Sequence, residues 1–258
     1  MSEDVFGRYS RYYDLLYRDK DYATEVAYVV RVLRDSAPEA RTLLEFGSGT
    51  GRHGRLLAEQ GFDVFGIERS GTMAAAAKKA SVEFKPQQDG KFDCKQGDVR
   101  TVNLERVFDG VIALFHVISY QTGNEALLQT FNSAARHLNV GGVFMFDVWH
   151  GPAVLAERPS VRVKRVEDEN TLLTRIAEPE LDTNASVVTV HYTMLAEMKA
   201  DAKLTRFGEE HRMRYLFPTE IDLIARQSSF KVERSEEFMT GNPASESTWG
   251  VTYLLRKL

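Results

Sequence analysis

Three glycines at alternate positions, with a carboxylate two residues ahead of them, form the most chemically telling stretch of this chain: Glu45-Phe46-Gly47-Ser48-Gly49-Thr50-Gly51. Thr42-Leu43-Leu44 before it reads as a buried strand, and Arg52–Gln60 after it reads as a helix. Glycines 47, 49 and 51 let the backbone turn tightly and approach a ligand closely. Strand, glycine-rich turn and helix N-terminus together describe the nucleotide-binding corner of a doubly wound α/β sheet. A pyrophosphate seated on that helix N-terminus would be repelled by Glu45. A ligand carrying an ammonium and a sulfonium would be attracted, so the corner suits S-adenosylmethionine (SAM) better than a dinucleotide. The literal match of Gly49-Thr50-Gly51-Arg52-His53-Gly54 to G-x-G-x-x-G keeps a nicotinamide dinucleotide, and hence a dehydrogenase, as the alternative.

Other reactive side chains fall near strand ends. Glu68 lies just past a short strand read over Asp63–Ile67, where a vicinal diol would find an acceptor. Gly97-Asp98 precedes Val99, which could pack on an adenine ring. Ser70 and Met73 fit either an adenine pocket or a helix cap and a core methionine. His116 follows a strand read over Phe108–Phe115, and His150 follows one read over Val143–Val148. A histidine on that edge can accept a proton near neutral pH. Tyr120 and Trp149 are candidate pocket walls. Tyr13, Tyr17 and Tyr22 cluster in one N-terminal segment and serve either as core or as a lid over a ligand. His53, His137 and His211 read as surface or structural, and His191 as exposed. No metal set stands out: Asp147 and His150 have i,i+3 spacing but sit at a strand end.

These residues need elements to hold them. Helical spacing covers the segment up to about Ala37, which Pro38 closes, with Val26, Val29, Val30 and Leu33 on one face. Alternating strands and helices run to Val148, with Gly141-Gly142 read as ending the helix Asn124–Leu138. From Ser160 to Arg214 the pattern changes to apolar–polar alternation, which reads as an inserted antiparallel sheet. Pro218–Gln227 returns to helix, and two final strands follow. The division is 1–40, an N-terminal helical cap over the cofactor; 41–150, the cofactor-binding core; 151–217, the insert, serving as acceptor site or dimer interface; and 218–258, the last helix and hairpin. With 258 residues, 43% hydrophobic, the chain can bury a substantial core. Its net charge of −4 and its lack of a long basic run argue against a nucleic-acid partner. Cys94 is the single cysteine, which excludes an intrachain disulfide. No signal or membrane-spanning pattern is read, so a cytoplasmic setting is expected.

The glycine loop, Glu68, Gly97-Asp98, Gly141-Gly142 and the closing hairpin together resemble the class I SAM-dependent methyltransferases. That resemblance implies a doubly wound, seven-stranded Rossmann-like sheet with an antiparallel insert after the fifth strand. It implies a cofactor site of Tyr13, Tyr22, Glu45, Gly47, Ser48, Gly49, Gly51, Glu68, Arg69, Met73, Asp98, Val99 and Phe115. Tyr13-Asp14-Leu15-Leu16-Tyr17, followed by Asp21-Tyr22, resembles the start of bacterial sugar N-methyltransferases, which act on nucleotide-linked amino sugars. The implied reaction is methyl transfer by in-line displacement to nitrogen or oxygen of a small molecule. His116 is the candidate catalytic base, and Tyr120, Trp149 and His150 are the candidate acceptor contacts. His116 stands where a serine is usual. A SAM-binding module without activity, and a homodimer, remain open.

Overall fold

The computed structural model describes residues 9–258; the first eight residues of the expected N-terminal cap lie outside them. Two helices come first, α1 (Ser10–Leu16) and α2 (Tyr22–Ser36). Asp21 caps α2 by accepting the Thr24 N–H at 2.9 Å. Alternating units follow: β1 (Thr42–Phe46), α3 (Arg52–Glu59), β2 (Asp63–Glu68), α4 (Gly71–Glu83), β3 (Lys91–Gln96), β4 (Phe108–Ala113), α5 (Asn124–Arg136) and β5 (Leu138–His150). Then come α6 (Gly151–Glu157), β6 (Arg162–Glu167), β7 (Thr171–Asp182), β8 (Val187–Met198), β9 (Lys203–Leu216), α7 (Pro218–Gln227), β10 (Phe230–Glu237) and β11 (Gly250–Lys257). Among the described residues no helix is long and apolar enough to cross a membrane.

Strands β1 to β5 pair in parallel in the order β3-β2-β1-β4-β5. β11 runs antiparallel to β5, and β10 pairs with β11. These seven strands are the doubly wound core that the sequence predicts. Both faces are covered because side chains alternate along each strand. Leu44, Val111, Phe144 and Phe146 meet Leu127, Phe131, Ile221 and Ile224 of α5 and α7. Leu43, Ile112, Val143 and Met145 meet Val29, Val32, Leu33 and Leu57 of α2 and α3. Tyr28 of α2 also reaches β10, where its buried hydroxyl donates to Glu236 Oε1 at 2.9 Å. Tyr28→Phe should therefore cost about 1 kcal/mol. Thermal unfolding should show a Tm lower by about 2–4 °C; an unchanged Tm would mean that this bond adds nothing.

The insert is an antiparallel meander, β6-β7-β8-β9, but it is not a separate sheet. Tyr215 and Leu216 at the end of β9 pair in parallel with Trp149 and His150 of β5. They occupy the flank of β5 that β4 vacates when it stops at Ala113, so one sheet of 11 strands results.

Three local expectations are corrected. Gly141-Gly142 does not end a helix: α5 stops at Arg136, where the His137 N–H bonds the Ala134 carbonyl and its Nδ1 lies 2.7 Å from the Ser133 carbonyl oxygen. The glycine pair lies inside β5, where Gly141 (φ +83°) accompanies a slip in the β4 register. The fourth strand ends at Ala113 rather than Phe115, because Phe115 and His116 both adopt left-handed backbone. Finally, α6 opens 151–217, the bounds given to the antiparallel β insert, ahead of the alternating run from Ser160, with proline in its first turn.

Candidate active site

The corner after β1 is built as its glycines require. Gly47, Gly49 and Gly51 have φ of +68°, +55° and +76°. The Gly47 N–H donates to the Ile67 carbonyl at 2.8 Å and the Gly51 N–H to the Ser48 carbonyl at 2.8 Å, which locks the loop between β1 and β2. A Cβ on Gly51 would stand 2.5 Å from Phe92 Cε1 as well as in a strained conformation. Gly51→Ala should thus cost about 1–3 kcal/mol. Denaturant titration should find the loss; full stability would mean that the loop relaxes freely.

Two carboxylates face this loop from beneath. The Glu68 carboxylate accepts the Gly49 N–H at 2.8 Å and the Ser70 N–H at 2.7 Å. Burial raises its pKa, and those N–H bonds pull against the rise. Glu45 is more extreme: it is 2% exposed, and its Oε2 is buried with no hydrogen-bond partner. Burial, with the Glu68 charge adding to it, pushes Glu45 up to about 8. Ser48 Oγ is also buried and unpartnered. A carboxylate that is costly to ionise without a cation fits the ammonium of SAM. It does not fit a pyrophosphate, so the dinucleotide alternative falls away.

Along the sheet edge, Met73 and Val99 are buried and Arg69 follows Glu68 at the end of β2. Asp98 is held by Arg100, whose Nε donates at 2.9 Å, and the pairing keeps its carboxyl below the usual range. Over the corner lies the tyrosine cluster. Tyr13 packs against Tyr17 with ring centroids 4.7 Å apart, and Tyr17 stands edge-on to Phe115 at 5.1 Å. Tyr22 lies over His53 at 4.9 Å, and burial raises its pKa to about 12. Lys20 pairs with Glu25 and places its ammonium 4.6 Å from the Tyr22 ring and 4.5 Å from the Phe115 ring.

His116 is the focus of the neighbouring cleft, which Phe115, Asp147, Trp149, Phe238 and Trp249 also line. Phe115 and His116 have φ of +64° and +63°, a strained conformation for two successive non-glycine residues. The turn brings His116 Nδ1 to 2.6 Å from Asp147 Oδ2, and the His116 N–H donates to the same oxygen at 3.1 Å. Asp147 is fully buried; burial alone would raise its pKa, but His116 outweighs that and holds it low. The next residue, Val117, packs on Gly47, so the cleft adjoins the glycine loop.

Phe115, His116 and Trp149 are thus brought together. His150 and Tyr120 are not among the residues lining that cleft. His150 is buried at the β5–β9 junction, and burial lowers its pKa. Tyr120 hydrogen-bonds His211 Nδ1 at 2.8 Å, and His211, His137 and His53 are all buried. Asp147, Lys20 and Glu25 were not singled out as site residues in the sequence reading. A charge inside the apolar run Val143–Val148 was the available signal for Asp147.

This strand order, with an antiparallel last strand and a carboxylate-bearing glycine loop, defines the class I SAM-dependent methyltransferases. The family profile described as a methyltransferase domain matches residues 43–142. A Streptomyces venezuelae dTDP-3-amino-3,4,6-trideoxy-alpha-D-glucopyranose N,N-dimethyltransferase is 28% identical over 234 residues, 90% of this chain and 92% of that protein. A dTDP-3-amino-3,6-dideoxy-alpha-D-glucopyranose N,N-dimethyltransferase of Streptomyces fradiae is 28% identical, over 93% of this chain and 89% of that protein. The solved sugar N-methyltransferase of a Streptoalloteichus species superposes with a TM-score of 0.77 at 26% identity, covering 95% of this chain and 93% of that one. The chain is a SAM-dependent methyltransferase, akin to the sugar N-methyltransferases.

Proposed function

We propose that the chain methylates the amino nitrogen of a nucleotide-linked sugar, with His116 as the proton acceptor. The relatives' acceptors support the substrate class. The observation that carries the reading in this molecule is the His116–Asp147 pair in a cleft beside the glycine loop. When bound, SAM supplies a methyl group on a sulfonium, already a good leaving group, for in-line displacement.

The chain's own residues do the rest. Glu45 would take the ammonium of bound SAM, and the backbone of Gly47, Ser48, Gly49 and Gly51 would face it. Glu68 keeps lone pairs for the ribose hydroxyls beyond the two N–H bonds it accepts. Arg69, Met73, Asp98 and Val99 would flank the adenine. Tyr13, Tyr22 and Phe115 would cover the methionine end. An amine must be neutral to attack, and His116 removes its proton while Asp147 stabilises the resulting imidazolium. Trp149 walls the acceptor. Holding nucleophile, methyl and sulfur in line supplies several kcal/mol more.

The test is turnover with SAM and a panel of dTDP-linked amino sugars, read by mass spectrometry. Mono- or dimethylated products are expected. Turnover of a sugar hydroxyl with no amino sugar accepted would overturn the reading.

A further inference from the structure

The inserted sheet carries two cations that the reaction does not use. Lys164 of β6 and Arg175 of β7 are directly opposed across the strand pair. Like charges in that register repel. Both are half-buried and both turn toward Tyr17. The Arg175 guanidinium donates from Nη1 to the Tyr9 and Tyr17 hydroxyls at 3.1 and 3.2 Å, and Lys164 Nζ lies 5.8 Å from the Tyr17 ring centre. Lys164 Nζ otherwise donates only to the Leu16 carbonyl, at 2.6 Å. Arg175 Nε is buried with no partner. Among the described residues neither cation has a carboxylate within ion-pair distance. Glu209, the acid on the same face, is engaged by the Tyr9 N–H at 2.7 Å and by His211.

Two facing cations with no carboxylate partner among the described residues fit a ligand that brings more than one negative charge. Arginine's planar fork suits phosphoryl oxygens in particular. The place is also right. Arg175 reaches Tyr17, whose ring stands edge-on to Phe115, and Phe115 precedes His116. A ligand with its amine at His116 would extend across Tyr17 toward the pair.

We propose that Lys164 and Arg175 form an anion site for the phosphoryl groups of the acceptor. This rests on the nucleotide-linked reading above, yet it is tested without any methyl transfer. Thymidine 5′-diphosphate is titrated calorimetrically into the protein loaded with S-adenosylhomocysteine. Binding is expected, weakening as salt rises. Lys164→Gln and Arg175→Gln should each reduce the affinity about tenfold or more. S-adenosylhomocysteine affinity should stay within about threefold, against that tenfold loss for the diphosphate. Arg175→Gln also loses the tyrosine bonds; Lys164→Gln leaves them in place and Arg175→Lys restores the charge, so a folding defect would be recognised. Comparable binding of inorganic pyrophosphate would assign the pair to phosphoryl groups alone. Undiminished diphosphate affinity in both glutamine variants, or none in the wild type, would overturn the proposal. Failure of the amino-sugar panel with this site intact would refute only the acceptor's reacting group.

Discussion

Glu45→Gln is expected to weaken SAM binding by about tenfold to a hundredfold, the worth of a charge-assisted hydrogen bond, while leaving the unliganded fold intact or more stable. The two effects have one cause. Glu45 sits beneath the first turn of α3, where a Cβ on Gly54 would be 2.8 Å from its Oε2, and no donor satisfies that oxygen. The charge is therefore a burden until a cation arrives. With its pKa at about 8, Glu45 is mostly protonated at pH 7 in the free protein. An ammonium selects the ionised form, so SAM binding should release up to one proton, and affinity should rise with pH toward 8.

Stability runs the other way. A carboxyl raised in the folded state stabilises the fold fully below the unfolded value of 4.5, and that contribution is lost as pH climbs through about 8. Tm of the unliganded wild type should therefore carry a downward slope between those limits that the glutamine variant lacks. Calorimetry in two buffers of different ionisation enthalpy measures the proton directly. Unaltered SAM affinity in Glu45→Gln, with no proton released by the wild type, would show that this carboxylate does not meet the ammonium.

His116→Ala should lower kcat about a hundredfold or more, with SAM affinity within a few-fold of the wild type. The split matters because His116 lines the cleft beside the glycine loop, whereas Glu45 and Glu68 lie beneath the loop and do not line that cleft. Asp147→Asn should also slow turnover, because the asparagine keeps the shape but not the charge that steadies an imidazolium. Single-turnover rates separate this chemistry from product release. A His116→Ala enzyme with nearly full kcat would leave alignment alone as the source of rate and remove the base from the mechanism.

The cofactor corner was legible because its parts are contiguous or spaced by one strand–helix unit. A carboxylate, three alternating glycines and a second acid at the next strand end all announce themselves in chain order. The amide and carboxylate groups then meet because β1 and β2 pair in parallel, with Phe46 beside Ile67. The alternating strands and helices of the core were legible from local pattern, and the family resemblance supplied their assembly into one seven-stranded sheet.

What the chain order does not state is which distant side chains meet. His116 and Asp147 are 31 residues apart, and they touch only because two left-handed residues turn the chain back over the end of β5. Nothing local marks Phe115 or His116 for that conformation; glycine is its usual signal. Lys164 and Arg175 belong to successive strands, and only the β6–β7 register sets them face to face. A slip of one residue would have sent Arg175 to the opposite face. Fold class and cofactor could be read from the chain alone, because short-range pattern and the contiguous glycine loop carry them. Tertiary packing alone set His116 against Asp147 and Lys164 against Arg175, because strand register and backbone strain are settled by contacts between distant parts of the chain.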